Sequence, residues 1–183
     1  MNKTDLSKFS IGDYDKGASA LKACIWYFVN ALIVRASWNP FMGIKIWLLR
    51  LFGAQIGKNL IIKNNVTIKF PWKLTIGDYV WLGENCWIDN LDYVSIGNNV
   101  CISQGALLIT GNHDYTKHNF PYRNAPIVVE DGVWVGAKSV VTAGVTLGSH
   151  SILTAGTVVT KNTKPFGIYQ GNPVVMNRTR EIE

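Results

Sequence analysis

The chain has 183 residues, 48% of them hydrophobic and only 16% charged, and its 18 basic and 12 acidic side chains give a net charge of +6. An ordinary soluble domain is about 25% charged, so this composition, with 11% aromatics, excludes a disordered chain and implies a large core, a large interface or both. The basic excess lies at the two ends, with 7 basic and 3 acidic residues in 1–53, 4 and 4 in 54–109, and 7 and 5 in 110–183. Without a run of like charge, this pattern argues against nucleic acid and fits a small anionic ligand better.

Residues 1–22 are polar, unlike a secretory leader. The cysteines Cys24, Cys86 and Cys101 form neither a CxxC pair nor a zinc-type cluster, so the expectation is a cytoplasmic protein with reduced thiols. Leu21–Val34 is apolar apart from Lys22 and Asn30 and is too short to span a bilayer. Phe41–Phe52 is a second apolar stretch, interrupted by Lys45 and Arg50. Both read as amphipathic helices joined at the Asn39-Pro40 turn and packed on the rest of the fold. With Trp26, Trp38 and Trp47 they also suit peripheral contact with a membrane.

From residue 56 onward the chain repeats. Val129, Val135, Val141, Leu147, Leu153 and Val159 are six apart without a gap, and so are Ile76, Leu82, Ile88 and Val94 upstream. Ile56-Gly57, Ile76-Gly77 and Ile96-Gly97 recur every 20 residues, three hexapeptides plus two inserted residues; downstream the period is 18. A period of six fits neither a helix nor simple strand alternation. It predicts a three-sided solenoid in which each hexapeptide supplies one short strand and one corner. The aliphatic residue points inward, and a small or apolar residue follows four later (Val133, Ser139, Val145, Ser151, Thr157). Gly57, Gly77, Gly83, Gly97, Asn98, Asn99, Gly136 and Gly148 follow the aliphatic positions and are expected to supply unusual backbone angles at the corners. The expected organisation is a helical cap over 1–53, a β-helix over 54–163 with an extruded loop at 110–126, and a tail over 164–183.

The [LIV]-G-x-x-x-x repeat resembles the hexapeptide-repeat acyltransferases over residues 50–175, with Gly171-Asn172-Pro173 similar to the family's G-x-P after the last coil. Cys86–Tyr93 followed by Thr110–Tyr115 resembles the colanic acid biosynthesis acetyltransferases, relatives of galactoside, maltose and nodulation acetyltransferases. The resemblance implies a mainly β fold, a left-handed parallel β-helix with an N-terminal helical segment. It also implies homotrimers with active sites between subunits and acetyl-CoA as acyl donor. The left hand comes from the resemblance alone, because general connection rules predict the opposite.

The repeat breaks over 110–126, a polar, aromatic segment with two histidines and two prolines. Insertions of this kind carry binding sites on repeat proteins. His113 is the candidate general base, since a neutral imidazole can take the proton of an attacking hydroxyl, and the resemblance puts the family's base there. A locally bonded loop histidine is the alternative. His113 and His118 are spaced like the pair in the zinc β-helices of carbonic anhydrase type, but the region around Gly77 offers no third histidine, so no metal is expected. Asn85 resembles the asparagine that galactoside-type enzymes aim at the oxyanion, and is otherwise a corner residue. Asp89 would orient His113 or bind a sugar hydroxyl, or else cap a turn with Asn90 and Asp92. The resemblance places Ala137, Ala155, Thr160, Lys161 and Arg178 along the coenzyme A channel. It adds Trp134 as cofactor wall or subunit packing. The implied acceptor is a saccharide hydroxyl in exopolysaccharide biosynthesis. A small xenobiotic acceptor and a non-catalytic scaffold are the alternatives.

Overall fold

The computed structural model of the protein describes residues 3–182. Three parallel sheets wind around one core as five complete coils and the start of a sixth. The first coil is β1 (Gln55–Ile56), β2 (Ile61–Ile62) and β3 (Thr67–Ile68); the second is β4 (Leu74–Ile76), β5 (Trp81–Leu82) and β6 (Trp87–Asp89). The third is β7 (Val94–Ile96), β8 (Cys101–Ile102) and β9 (Leu107–Ile109); the fourth is β10 (Ile127–Val129), β11 (Trp134–Val135) and β12 (Val140–Val141). The fifth is β13 (Thr146–Leu147), β14 (Ile152–Leu153) and β15 (Val158–Val159). After it β16 (Gly167–Gln170) pairs parallel with β14, and β17 (Val175–Thr179) folds back antiparallel on β16. Face A takes the first strand of each coil, face B the second and face C the third.

The six-residue spacing becomes stacking. Ile56, Ile76, Ile96, Val129 and Leu147 sit one above another on face A, and Ile68, Ile88, Leu108, Val141 and Val159 on face C. The residues four later are buried as well, and where they are polar they are bonded: the Ser139 hydroxyl donates to the Thr154 carbonyl at 2.9 Å. The two extra residues of the longer coils lie at the corner from face C to face A, so that Leu74 and Ile76 both point inward from one strand.

The glycines after the aliphatic positions do a different job from the one expected. Gly57, Gly77, Gly83, Gly97, Gly136 and Gly148 have no positive φ, nor has Asn98, while Asn99 does; the left-handed corners belong to Asn59, Asn65, Tyr79, Asn85, Asn99, Lys138 and His150 and to the glycines Gly105, Gly132, Gly144 and Gly156. What Gly57 needs is room, since a Cβ there would come within 2.2 Å of the Asp78 carboxylate. That carboxylate crosses over it to accept the Lys58 N–H at 2.7 Å. Asn98 over Gly77 and Asp131 over Gly97 repeat the device.

Neighbouring coils exchange backbone bonds in both directions, the Gly57 N–H donating to the Ile76 carbonyl and the Tyr79 N–H to the Lys58 carbonyl, so the outer edge of the first coil is left with polar groups, carbonyls among them, that no further coil can pair. The helical cap supplies the donors. α1 (Ala20–Val29) is N-capped by Ser19 and runs on through a π-helical turn, Asn30–Val34; α2 (Met42–Leu51) follows. Trp26, 2% exposed, donates its indole N–H to the Ile68 carbonyl at 3.0 Å. Arg50 donates to the carbonyls of Ile56 and Gly57 at 3.0 and 2.9 Å. At the other end Asn162 Oδ1 accepts from the Thr146 N–H, the Thr163 hydroxyl accepts from the Gly148 N–H, and the Thr163 N–H donates to the Thr146 carbonyl.

Candidate active site

The loop over 110–126 leaves the corner between β9 and β10, and its base is a short antiparallel ladder. The N–H groups of Ala125, Arg123 and Asp114 donate to the carbonyls of Thr110, Asn112 and Pro121 at 3.1, 2.8 and 2.9 Å, and His113 pairs with Tyr122. At the tip, Asp114 accepts from the hydroxyl and N–H of Thr116, which holds its carboxyl below the usual range.

This ladder fixes the half-buried imidazole of His113. Its Nδ1 lies 2.9 Å from the Phe120 carbonyl oxygen. A carbonyl brings no proton, so Nδ1 carries the hydrogen and donates it, and Nε2 of the neutral ring keeps its lone pair. Phe120 has a φ of +49°, rare for an aromatic residue. Its own ring stacks on the imidazole at 4.4 Å, with Tyr122 at 5.1 Å and Phe9 at 6.0 Å.

The segment before α1, for which the sequence offered no role, turns out to roof this loop. Asp5 N–H donates to the His118 carbonyl at 2.8 Å, and Phe9 and Tyr14 pack on the Tyr122 ring at 5.4 and 5.1 Å. Lys73 bolts the segment down, donating to the carbonyls of Asp15 and Leu91 at 2.6 and 2.7 Å beneath the Tyr14 ring. Burial lowers the Lys73 ammonium against the raising influence of Asp92 and Asp15, and burial pushes the Tyr14 phenol up to about 12. Between roof and corner lies a cavity of about 560 Å³, lined by Tyr14, Asp92, Tyr93, Tyr122, Arg123 and Asn124 among others. The buried Tyr14 hydroxyl and Asn124 Nδ2 have no protein partner among the described residues. The signal for this roof was a polar segment carrying Phe9 and Tyr14, too short on periodicity to be assigned.

Most of the residues singled out from sequence border face C. Asn85 is exposed at the B-to-C corner with a φ of +58°, and Ala137 and Ala155 stack at the same corner, the Gly156 N–H donating to the Ala137 carbonyl at 2.8 Å. Asp89 ends β6, 8% exposed, and pairs with Lys69 at 2.8 Å. His113 hangs from the C-to-A corner, and Thr160 and Lys161 are exposed at that corner two coils later. Between the two corners the outward residues of face C, Trp87, Leu107, Val140 and Val158, make an apolar strip. Trp134 and Arg178 lie elsewhere, on face B, where the Trp134 indole donates to the Ser103 hydroxyl at 2.9 Å and Arg178 pairs with Ile168. Phe120, not Asp89, holds His113 Nδ1.

A family model described as the hexapeptide repeat of succinyl-transferase matches residues 126–161. The chain is 38% identical over 178 residues to the putative colanic acid biosynthesis acetyltransferase WcaF of Escherichia coli (strain K12), covering 96% of this chain and 97% of that protein. The chain belongs to the hexapeptide-repeat acetyltransferases. Other members of the fold include the hexapeptide-repeat containing acetyltransferase of Vibrio cholerae O1 biovar eltor complexed with acetyl-coenzyme A. It has a TM-score of 0.79 at 24% identity and covers 97% of this chain and 98% of that one. A galactoside acetyltransferase in complex with coenzyme A superposes with a TM-score of 0.79 at 22% identity, over 91% and 86% of the two chains. In this hexapeptide-repeat acetyltransferase the solenoid is the scaffold from which the loop over 110–126 extends under its N-terminal roof.

Proposed function

We propose that the protein transfers an acetyl group from acetyl-CoA to a saccharide hydroxyl in the cytoplasm, on a precursor of an exopolysaccharide, with His113 as general base. The observation that carries this reading is the bond from His113 Nδ1 to the Phe120 carbonyl, which leaves the basic nitrogen on Nε2. Nε2 accepts the proton of the acceptor hydroxyl as its oxygen attacks the thioester carbonyl carbon. The resulting imidazolium returns that proton to the departing thiolate. The Asn85 amide hydrogen-bonds the transient oxyanion, and Asp89 and the cavity beside Tyr122 bind the sugar. Acetyl-CoA supplies the activated acyl group; the apolar strip of face C suits its pantetheine arm, Ala137 and Ala155 border that strip, and Thr160 and Lys161 offer a donor and a cation to its phosphates. Trp134 and Arg178, on another face, reach the same cofactor only across a subunit boundary, which favours a homotrimer with shared sites.

The test is His113→Ala assayed with acetyl-CoA and a panel of saccharides. The expected outcome is a fall in kcat of about 10²–10⁴-fold, with calorimetric binding of coenzyme A nearly intact. Full activity in the variant sinks the mechanism, and absence of coenzyme A binding to the native protein sinks the reaction class. Sedimentation equilibrium tests the trimer.

A further inference from the structure

The helical cap is apolar on two sides. Toward the solenoid α1 presents the buried Trp26, and the turn after it presents Val34. On the opposite side Leu21, Ile25, Phe28 and Leu32, spaced i, i+4, i+7 and i+11, all stand in solvent. α2 repeats the arrangement: Leu48 and Leu49 are buried, while Ile44, Trp47 and Leu51 are exposed at i, i+3 and i+7. Trp38, between the helices, is 71% exposed. Apolar surface this dense on a folded protein marks a contact.

The charge carried by the cap helices and the first coil has one sign, the Asp78 carboxylate against Lys58 coming from the second coil. From Lys16 to Gly77 the chain carries nine lysines and arginines and no aspartate or glutamate. Lys45 and Lys73 are buried and Lys69 pairs with Asp89, but Lys16, Arg35, Lys58 and Lys63 are exposed. A contact between two copies of this cap would set cation against cation. An anionic, apolar-cored surface answers both features.

We propose that the cap is a membrane-docking surface, with α1 and α2 lying in the interface of a bilayer that contains anionic phospholipid. The apolar stripes and Trp38 and Trp47 enter the acyl boundary, and the cations meet the headgroups. No helix among the described residues is long and apolar enough to cross a membrane, so the contact is interfacial. Docking places the loop of the third coil roughly 10 Å beyond the first coil, at about 4.8 Å per coil. The use of that height, access to a lipid-borne saccharide, rests on the acyl-transfer reading; the docking itself does not.

The test is flotation of the full-length protein with vesicles of phosphatidylcholine alone and of phosphatidylcholine with phosphatidylglycerol, at low and high salt and without acetyl-CoA. The expected result is flotation with the anionic vesicles at low salt, a blue shift of tryptophan emission, and loss of most binding at high salt. The double variant Phe28→Ser/Trp47→Ser, altered only at exposed positions, should keep its Tm and bind at least about tenfold more weakly. Arg35→Gln should bind about fivefold more weakly. A protein that floats with neither vesicle, or variants that bind like the native chain, overturns the assignment. So does a double variant that breaks up an oligomer while the native protein ignores vesicles, since the cap is then a protein contact. Acetyl transfer to a soluble acceptor, measured in parallel, stays unchanged in the double variant, so failure of docking and failure of the enzymatic reading are distinguishable.

Discussion

Trp26 closes the open end of the solenoid, and its removal should be felt locally before it is felt globally. The indole is 2% exposed, packs on the Phe52 ring at 5.1 Å between centroids, and satisfies the Ile68 carbonyl. Truncating a buried tryptophan to alanine costs about 3–5 kcal/mol through lost packing. The Ile68 carbonyl, left unpaired in the core, adds about 1–3 kcal/mol. Trp26→Ala thus stands to lose about 4–8 kcal/mol, a large share of the roughly 5–15 kcal/mol of a whole domain. Trp26→Phe keeps most of the volume and loses mainly the donor, at about 1–3 kcal/mol. Because repeat stability is a sum over units and nearest-neighbour interfaces, the first coil should fray first. Hydrogen exchange reads this directly. The amides of Ile61 and Thr67, which bond to Val80 and Cys86, should lose protection in Trp26→Ala, while those of Trp134 and Val140 in the fourth coil keep theirs. Native protection in the first coil of Trp26→Ala, or a urea-derived loss below about 1 kcal/mol, would refute the view that the cap satisfies the edge.

Three further outcomes follow from the same geometry. Tyr14, raised by burial from 10 to about 12, keeps its proton in the folded chain after the unfolded chain has lost it, so its contribution is complete below pH 10 and disappears as the pH rises to 12. Tyr14→Phe, whose lost hydroxyl has no protein partner, should match the native Tm at neutral pH and fall less steeply over that alkaline window. Burial pushes the Cys86 thiol up to about 11 and raises Cys101 as well, whereas Cys24 is exposed; a thiol reagent at mildly alkaline pH should therefore label Cys24 fast and Cys86 only after unfolding. Asn85→Gly preserves the left-handed corner, so its thermal stability should stay native while kcat drops about 10²–10³-fold through the missing oxyanion donor. An unchanged kcat would confine Asn85 to its corner.

The solenoid was legible because its rule is local: an aliphatic residue every six positions can only point inward if each hexapeptide makes one side of a prism. The glycines were misjudged because their constraint is not local. Gly57 is set by Asp78, a residue one coil away that the six-residue rhythm does not couple to it. The break in the repeat, the chemistry of an imidazole and the family resemblance single out His113 as a candidate. Its orienting partner could not be picked this way, since Phe120 contributes a backbone carbonyl, which any residue has. The roof formed by Phe9, Tyr14 and Lys73 was hidden for a related reason: it brings together residues about 60 positions apart, such as Asp15 and Lys73, through main-chain acceptors that leave no trace in side-chain pattern.

Each coil of the solenoid repeats the one before it, and neighbouring coils exchange hydrogen bonds in both directions. Each end is an unpaired parallel edge carrying both N–H and C=O groups, with the same rise, the same three faces and the same register. The two ends of separate molecules are therefore complementary, and only the cap at one end and β17 with the Asn162–Thr163 acceptors at the other prevent head-to-tail addition. Such a contact does not close on itself, so it propagates. Uncapping should produce not a floppier monomer but a filament that lengthens with concentration, and the helices before residue 55 act as chain terminators in the polymer chemist's sense.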